Sequence, residues 1–438
     1  MQRDLPTALP QDDPQRAVLH NEVHARPPAR IRLPALVVYV AVLNEGVSRE
    51  QEWQHLRQLP DQQDLQLEQL QANFVRLRFA NHTLKWERHT EFTRYSIVQA
   101  LPEHALETGD EAELMRAFVV DPAWLSRIPG RTVAAITMAM VHGDVDDPAA
   151  MRAQAEPWFD GRETVASLMG IRRSCAITDF HLRDSGFERL LVISPANTSE
   201  LRAGRLSQRL LELETYRLMA LRGLPIAKEL GPTLTACEEQ LAAITALMES
   251  KEVSDQDLLT QLIGLAARVE RATAKHMYRF SATRAYDSLV TQRIEQLREV
   301  AIPGTQMVGE FLLKRLSPAM ATVQATAQRL GSLSQRIERA SALLRTRVDI
   351  ATEAQNQQLL EKLTRGQELQ LRLQSTVEGL SIAAISYYVI SLILYGGKAA
   401  KAAGAPINPE MLAGALIPLV LALIWWGTRQ IHKKIYAS

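Results

Sequence analysis

The sequence predicts an α+β or α/β cytosolic domain, then a long helical stalk and two carboxy-terminal transmembrane helices. Three observations carry that expectation. Apolar runs rich in β-formers crowd the first part of the chain. Leu, Ala, Gln, Glu and Arg dominate the middle, and two stretches without a charged residue lie near the end. The expected organisation is a domain over 1–197, a long-helix stalk or bundle over 198–376, and a membrane segment over 377–438.

In the amino-terminal domain the β-rich runs are Leu36 to Leu43, Phe74 to Phe79, Tyr95 to Val98, Val133 to Val141 and Leu190 to Ile193. Phe74 to Val98 reads as hairpins with a turn near Ala80-Asn81, so the sheet is expected to be mostly antiparallel. Helical stretches, Arg49 to Gln58 and Glu111 to Phe118, lie between the runs. Strand order is not encoded in any local signal.

From about Thr198 strand signals disappear. Ser254 followed by Asp255 and Asp257 reads as a helix N-cap with acids in its first turn, and the pattern continues to about Val300 before Pro303-Gly304 stops it. A second long helix follows. Leu330, Leu333, Ile337, Ala340 and Leu344 form a heptad seam, and Leu369, Leu373, Val377 and Leu380 carry an apolar stripe onward. Stalk and first span are expected to be one continuous rod, packed within the chain or against other copies.

The uncharged stretches run from Gly379 to Gly397 and from Met411 to Thr428. As helices each covers roughly 27 Å, close to the ~30 Å hydrocarbon core. Trp425-Trp426 precedes a basic tail, as interfacial aromatics do. Lys362, Arg365 and Arg372 precede the first span and Arg429, Lys433 and Lys434 follow the second, against Lys398 and Lys401 in the loop between. This bias predicts a two-span protein of the inner membrane with both termini cytoplasmic. The opening residues lack an apolar signal-peptide core, so the body is expected in the cytosol, in keeping with only two cysteines, Cys175 and Cys237.

Composition and motifs exclude more than they assign. With 50 Lys and Arg against 49 Asp and Glu, the chain lacks the excess positive charge of a general nucleic-acid binder. No dinucleotide fingerprint, P-loop, nucleophile elbow, zincin helix or C-x-x-C occurs. Two polar constellations remain: His20, Glu22, His24 and Arg26 before Pro27-Pro28, and Glu87, Arg88, His89 and Glu91. In an extended chain His20, Glu22 and His24 share a face, as do Glu87, His89 and Glu91. Three readings stand. The first is a structural hydrogen-bond and ion-pair cluster. The second is anion or small-ligand recognition through Arg26, Arg88 and His89, and the third is a divalent metal on His20, Glu22, His24 and His89. Arg202, Arg205 and Arg209, and likewise Arg279 and Arg284, are read as solvated helix faces.

The motifs HNEVHARPP, ERHTEFTRY and VEGLSIAAISYYV, in that order, resemble an uncharacterised family of bacterial membrane-anchored proteins known only as a domain of unknown function. The resemblance spans essentially the whole chain and implies a location, with no activity to transfer. The layout also resembles, more distantly, CorA-type magnesium and cobalt channels. That family carries Gly-Met-Asn at the outer end of the first span and assembles as pentamers. This chain has Tyr395-Gly396-Gly397-Lys398 there, and a lysine at that place repels divalent cations. Tyr388, Ser391 and Tyr395 are the pore-face candidates; the alternative packs that face on the second span, where Ala413, Gly414 and Ala415 permit close approach.

The functional expectation is a non-enzymatic ligand- or partner-binding domain tethered to the membrane. A CorA-like ion channel and a metal-dependent enzyme are the alternatives. The lipid bilayer and further copies of the chain are the expected partners, nucleic acid is not, and no cofactor is predicted apart from the metal of the third reading.

Overall fold

The structure, a computed structural model, describes residues 13–16, 19, 29–103, 105–106, 111–250, 252–404, 406 and 408–435. It divides into two units, one of residues 1–249 with 260–340 and one of residues 250–259 with 341–438.

The first unit is built on one nine-stranded sheet. Its strands are β1 (Ala35–Leu43), β2 (Phe74–Arg78), β3 (His82–Arg88), β4 (Phe92–Ala100), β5 (Arg131–His142), β6 (Val165–Met169), β7 (Ser174–Thr178), β8 (Glu188–Ser194) and β9 (Val300–Ala301), in spatial order β2-β3-β4-β1-β5-β8-β7-β6-β9. Every neighbouring pair is antiparallel except β5 with β8. The expected α+β class and the hairpin through residues 79–81 are both present.

Central β1 is buried along its full length because both faces of the sheet are covered. On one face Leu36, Val38, Val40 and Val42 pack with Trp86, Tyr95, Trp124 and Trp158 under α1 (Arg49–Leu56), α2 (Glu111–Arg116), α3 (Pro122–Ser126) and α4 (Pro148–Ala155). On the other, Val37, Tyr39 and Ala41 meet Leu210 and Met219 of α5 (Glu200–Leu221), Val290 of α7 (Asp255–Leu297), and Leu312 and Leu316 of α8 (Val308–Ala402). Between α5 and α7 runs α6 (Gly223–Ser250), tied to α8 by the Arg329–Glu238 ion pair at 2.7 Å.

Two expectations about the middle of the chain are corrected. Residues 198–376 are not free of strand, since β9 pairs with β6 at Leu168↔Val300. Pro303-Gly304 does not stop α7 either. The helix closes at Leu297, and Arg298 at φ +48° turns the chain out of it into β9. The N-cap does form, with Ser254 Oγ accepting from the backbone N–H of Gln256 and Asp257.

In the second unit α8 continues unbroken to Ala402 and α9 runs Pro409–Ile435, so the stretch Gly379–Gly397 lies within α8 and Met411–Thr428 within α9. Both helices are long and apolar enough to cross a membrane, and their apolar windows are only 6% and 11% buried. Leu369, Leu373, Val377 and Leu380 are exposed, whereas the seam residues Leu330, Leu333, Ile337 and Leu344 are buried.

Candidate functional site

The segment ERHTE does not present Glu87, His89 and Glu91 on one face, because β3 ends at Arg88 and the chain turns through residues 89–91 into β4. Three directions result. Glu87 lies on the α5-covered face, registered opposite Arg94, which donates to it at 2.6 Å, with Lys85 Nζ 3.0 Å away. Arg94 also donates to Glu212 at 3.1 Å, and Glu212 accepts from Arg293 at 2.6 Å, so a chain of alternating charges runs from the sheet through α5 to α7. Burial by itself raises the Glu87 carboxyl, but Arg94 and Lys85 overcome it and hold that carboxyl at about 2. Burial pushes the Lys85 ammonium down, and repulsion from Arg94 adds to it against the pull of Glu87.

Arg88 takes the opposite face. It donates to Glu52 at 2.6 Å and to the Val47 carbonyl at 2.8 Å, and Thr93 Oγ1 donates to the second Glu52 oxygen at 2.6 Å. The His89 ring stacks on Phe92 with centroids 4.5 Å apart. Glu91 reaches α7 and accepts two bonds from Arg279, at 2.6 and 3.1 Å. Arg279 is therefore not a solvated helix residue: it is buried, because an α7 packed on the sheet brings it to the turn. Arg284 is exposed as expected.

Around this turn lies a cavity of about 380 Å³ lined by Asn44, Glu45, Arg88, Glu91, Arg222, Tyr278 and Arg279 among others. Arg88 is matched by Glu52 and Arg279 by Glu91. The buried Nε atoms of Arg222 and Arg279 have no hydrogen-bond partner among the described residues. Burial, with Arg279 close by, pushes the Arg222 guanidinium below its ordinary value. Arg88 and Glu91 stand out locally by their charge. Arg222 and Tyr278 carry no local signal, because only the packing of α5 and α7 brings them there.

His20, Glu22, His24 and Arg26 lie outside the described residues. Among the described residues no group of three His, Cys, Asp or Glu side chains is placed to hold a metal ion. Tyr388 and Tyr395 are each 68% exposed, so the face they mark is not packed on α9; Ser391 is half-buried, and the buried residues of this helix pair include Ser386, Ala413 and Val420.

Fold and site together define a mixed-sheet α+β protein with a polar, arginine-lined cavity and two apolar helices of membrane-spanning length. The chain belongs to the family described as protein of unknown function (DUF3422), whose pattern it matches over residues 11–435. No curated protein matches it.

Proposed function

We propose that this chain is a membrane-anchored binding protein whose α+β domain takes a small carboxylate-bearing molecule beside Glu91. The observation that carries this reading is the cavity beside Glu91 lined by Arg88, Arg222 and Arg279, of which Arg222 has no ion pair among the described residues. Arg88 is matched by Glu52, Arg279 by Glu91 and Glu45 by Arg131, which leaves Arg222 as the lining cation without an ion pair among the described residues and favours a singly charged anion over a polyanion. A volume of about 380 Å³ falls within the range of small-molecule sites. Anchoring is supported by the two apolar helices, whose apolar windows are only 6% and 11% buried among the described residues.

Calorimetric titration of the full chain in mild detergent with acetate, benzoate and glutamate tests it. At least one is expected to bind saturably below 1 mM, about −4 kcal/mol, and Arg222→Gln should weaken that binding at least about tenfold. Absence of saturable binding by all three, or undiminished binding by the variant, refutes the reading. An ion-conducting oligomer has one observation in its favour, the outward Tyr388 and Tyr395. A pentameric mass in detergent together with ion flux that Ser391→Ala abolishes would replace our reading with that one.

A further inference from the structure

A second cavity, about 540 Å³ in volume, opens where the β6–β7 turn, α5 and the end of α7 meet. Arg173 comes from the turn, Arg202, Arg205 and Arg209 from α5, and Arg298 from the residue that closes α7; among the described residues no aspartate or glutamate lines the space. Arg202 and Arg209 are half-buried and the other three line the open side. The cavity near Glu91 involves the far end of α5, roughly 25 Å away along the helix by its rise per residue.

Three features set this cluster apart from an ordinary solvated face. Arg202 and Arg205 stand in the first two turns of α5, the end where the helix dipole disfavours cations and favours anions. Arg298 adopts φ +48° and Ile171, a β-branched residue in the facing turn, φ +62°, both in the left-handed region where such side chains are uncommon. Functional sites are where such backbone is retained. The scaffold is also tied down, because Gly170 N–H donates to the Leu297 carbonyl at 2.8 Å and Arg209 Nη1 to the Gln296 carbonyl at 3.1 Å. Burial and the neighbouring Arg205, Arg293 and Arg298 push the Arg209 guanidinium down, the mark of cations held together without enough counter-charge.

We infer that this cavity is a binding site for a ligand carrying two phosphoryl groups close together, with the guanidinium groups of Arg173, Arg202, Arg205, Arg209 and Arg298 as its donors. Several planar forks matched to phosphate oxygens, with no acid lining the space among the described residues, select high negative charge over a monoanion. Met169, Leu206 and Leu297 add an apolar wall for an organic portion.

The chemistry is shared by soluble diphosphates and by a diphosphatidyl lipid headgroup, and the test separates them. Full-length protein in neutral detergent is titrated at constant ionic strength with orthophosphate, with pyrophosphate, and with cardiolipin carried in the micelles. Pyrophosphate, cardiolipin or both should bind at least tenfold tighter than orthophosphate. Arg205→Gln with Arg209→Gln should lower that affinity at least tenfold, and Arg284→Gln with Arg339→Gln, which removes the same charge from exposed sites elsewhere, should leave it within twofold. Preference for pyrophosphate alone identifies a soluble ligand and for cardiolipin alone a lipid. Should the first double variant not fold, Arg173→Gln at the exposed turn takes its place, with a loss of at least threefold expected. Equal affinity for orthophosphate and both diphosphoryl probes, or equal losses in the site and control variants, overturns the inference.

Discussion

Replacing Arg94 by methionine keeps an aliphatic side chain at the centre of the sheet and removes the cation that Glu87 and Glu212 share. All three are buried, so two carboxylates lose their principal partner in a place water does not reach. Breaking a buried ion pair this way costs about 3–5 kcal/mol. Lys85 and Arg293 remain beside Glu87 and Glu212, which places the expected loss near the lower end. An unfolding entropy of roughly 2 cal/mol/K per residue converts it into a fall of roughly 4 to 7 °C for a unit of this size. The pH dependence supplies a sharper check. Glu87 is held at about 2, below the ordinary carboxylate value of 4.5, so its contribution is fully present above 4.5 and is lost as pH falls through about 2. That contribution is on the order of 3 kcal/mol. Thermal unfolding of the full chain in detergent, followed by tryptophan fluorescence from pH 7 to pH 2, should show wild type well above Arg94→Met at neutral pH. The gap should close between pH 4.5 and 2. An unchanged midpoint in the variant, or a gap that persists at pH 2, would refute the assignment of this charge chain as a stabilising element.

Other perturbations address other parts of the molecule. A Cβ at Gly204 would lie 1.6 Å from the Ala29 carbonyl oxygen, so Gly204→Ala should cost about 1–3 kcal/mol. Gly231→Ala, on a helix with open space around it, should stabilise by about 0.5–1 kcal/mol, and thermal midpoints moving the same way in both would contradict this packing. His55, stacked on Trp124 at 4.1 Å, is pushed down to about 4 by burial and by Arg127. Its folded value lies below the ordinary 6.5, so wild type should lose stability as pH falls from about 6.5 towards 4, and His55→Phe should flatten that slope. Ile385→Lys and Leu421→Lys should each add about 2.5–3.5 kcal/mol to membrane insertion. Protein recovered in alkaline-washed membranes should fall accordingly, and recovery equal to wild type in both would remove the anchor.

How far local sequence reached can be traced residue by residue. β1 was legible because a strand buried on both faces reads as a continuous apolar run, and LVVYVAVL is one. β6 (VASLM) and β7 (SCAIT) were missed although every residue in them is buried, because Ser, Ala and Cys pack against close neighbours without announcing a β run. β9 carries no signal of its own and exists because β6 needed a partner at its edge. Glu87 and Arg88 were picked out for their charge, yet the pleat sends them to opposite faces and into different networks.

Local sequence carried the class of the fold, the uncharged stretches near its end and the unbroken helix that enters the first of them. Those properties depend on period, length and charge within one short window. Tertiary packing alone set where Arg94, Arg222, Arg279 and Arg298 stand and which groups they meet. Glu91 and Arg279 are 188 residues apart in the chain, and Arg94 and Glu212 are 118 apart. An ion pair or a cavity between such residues exists only once the sheet has paired and α5 and α7 have packed on it, since burial is what turns an ordinary surface arginine into a matched or waiting charge.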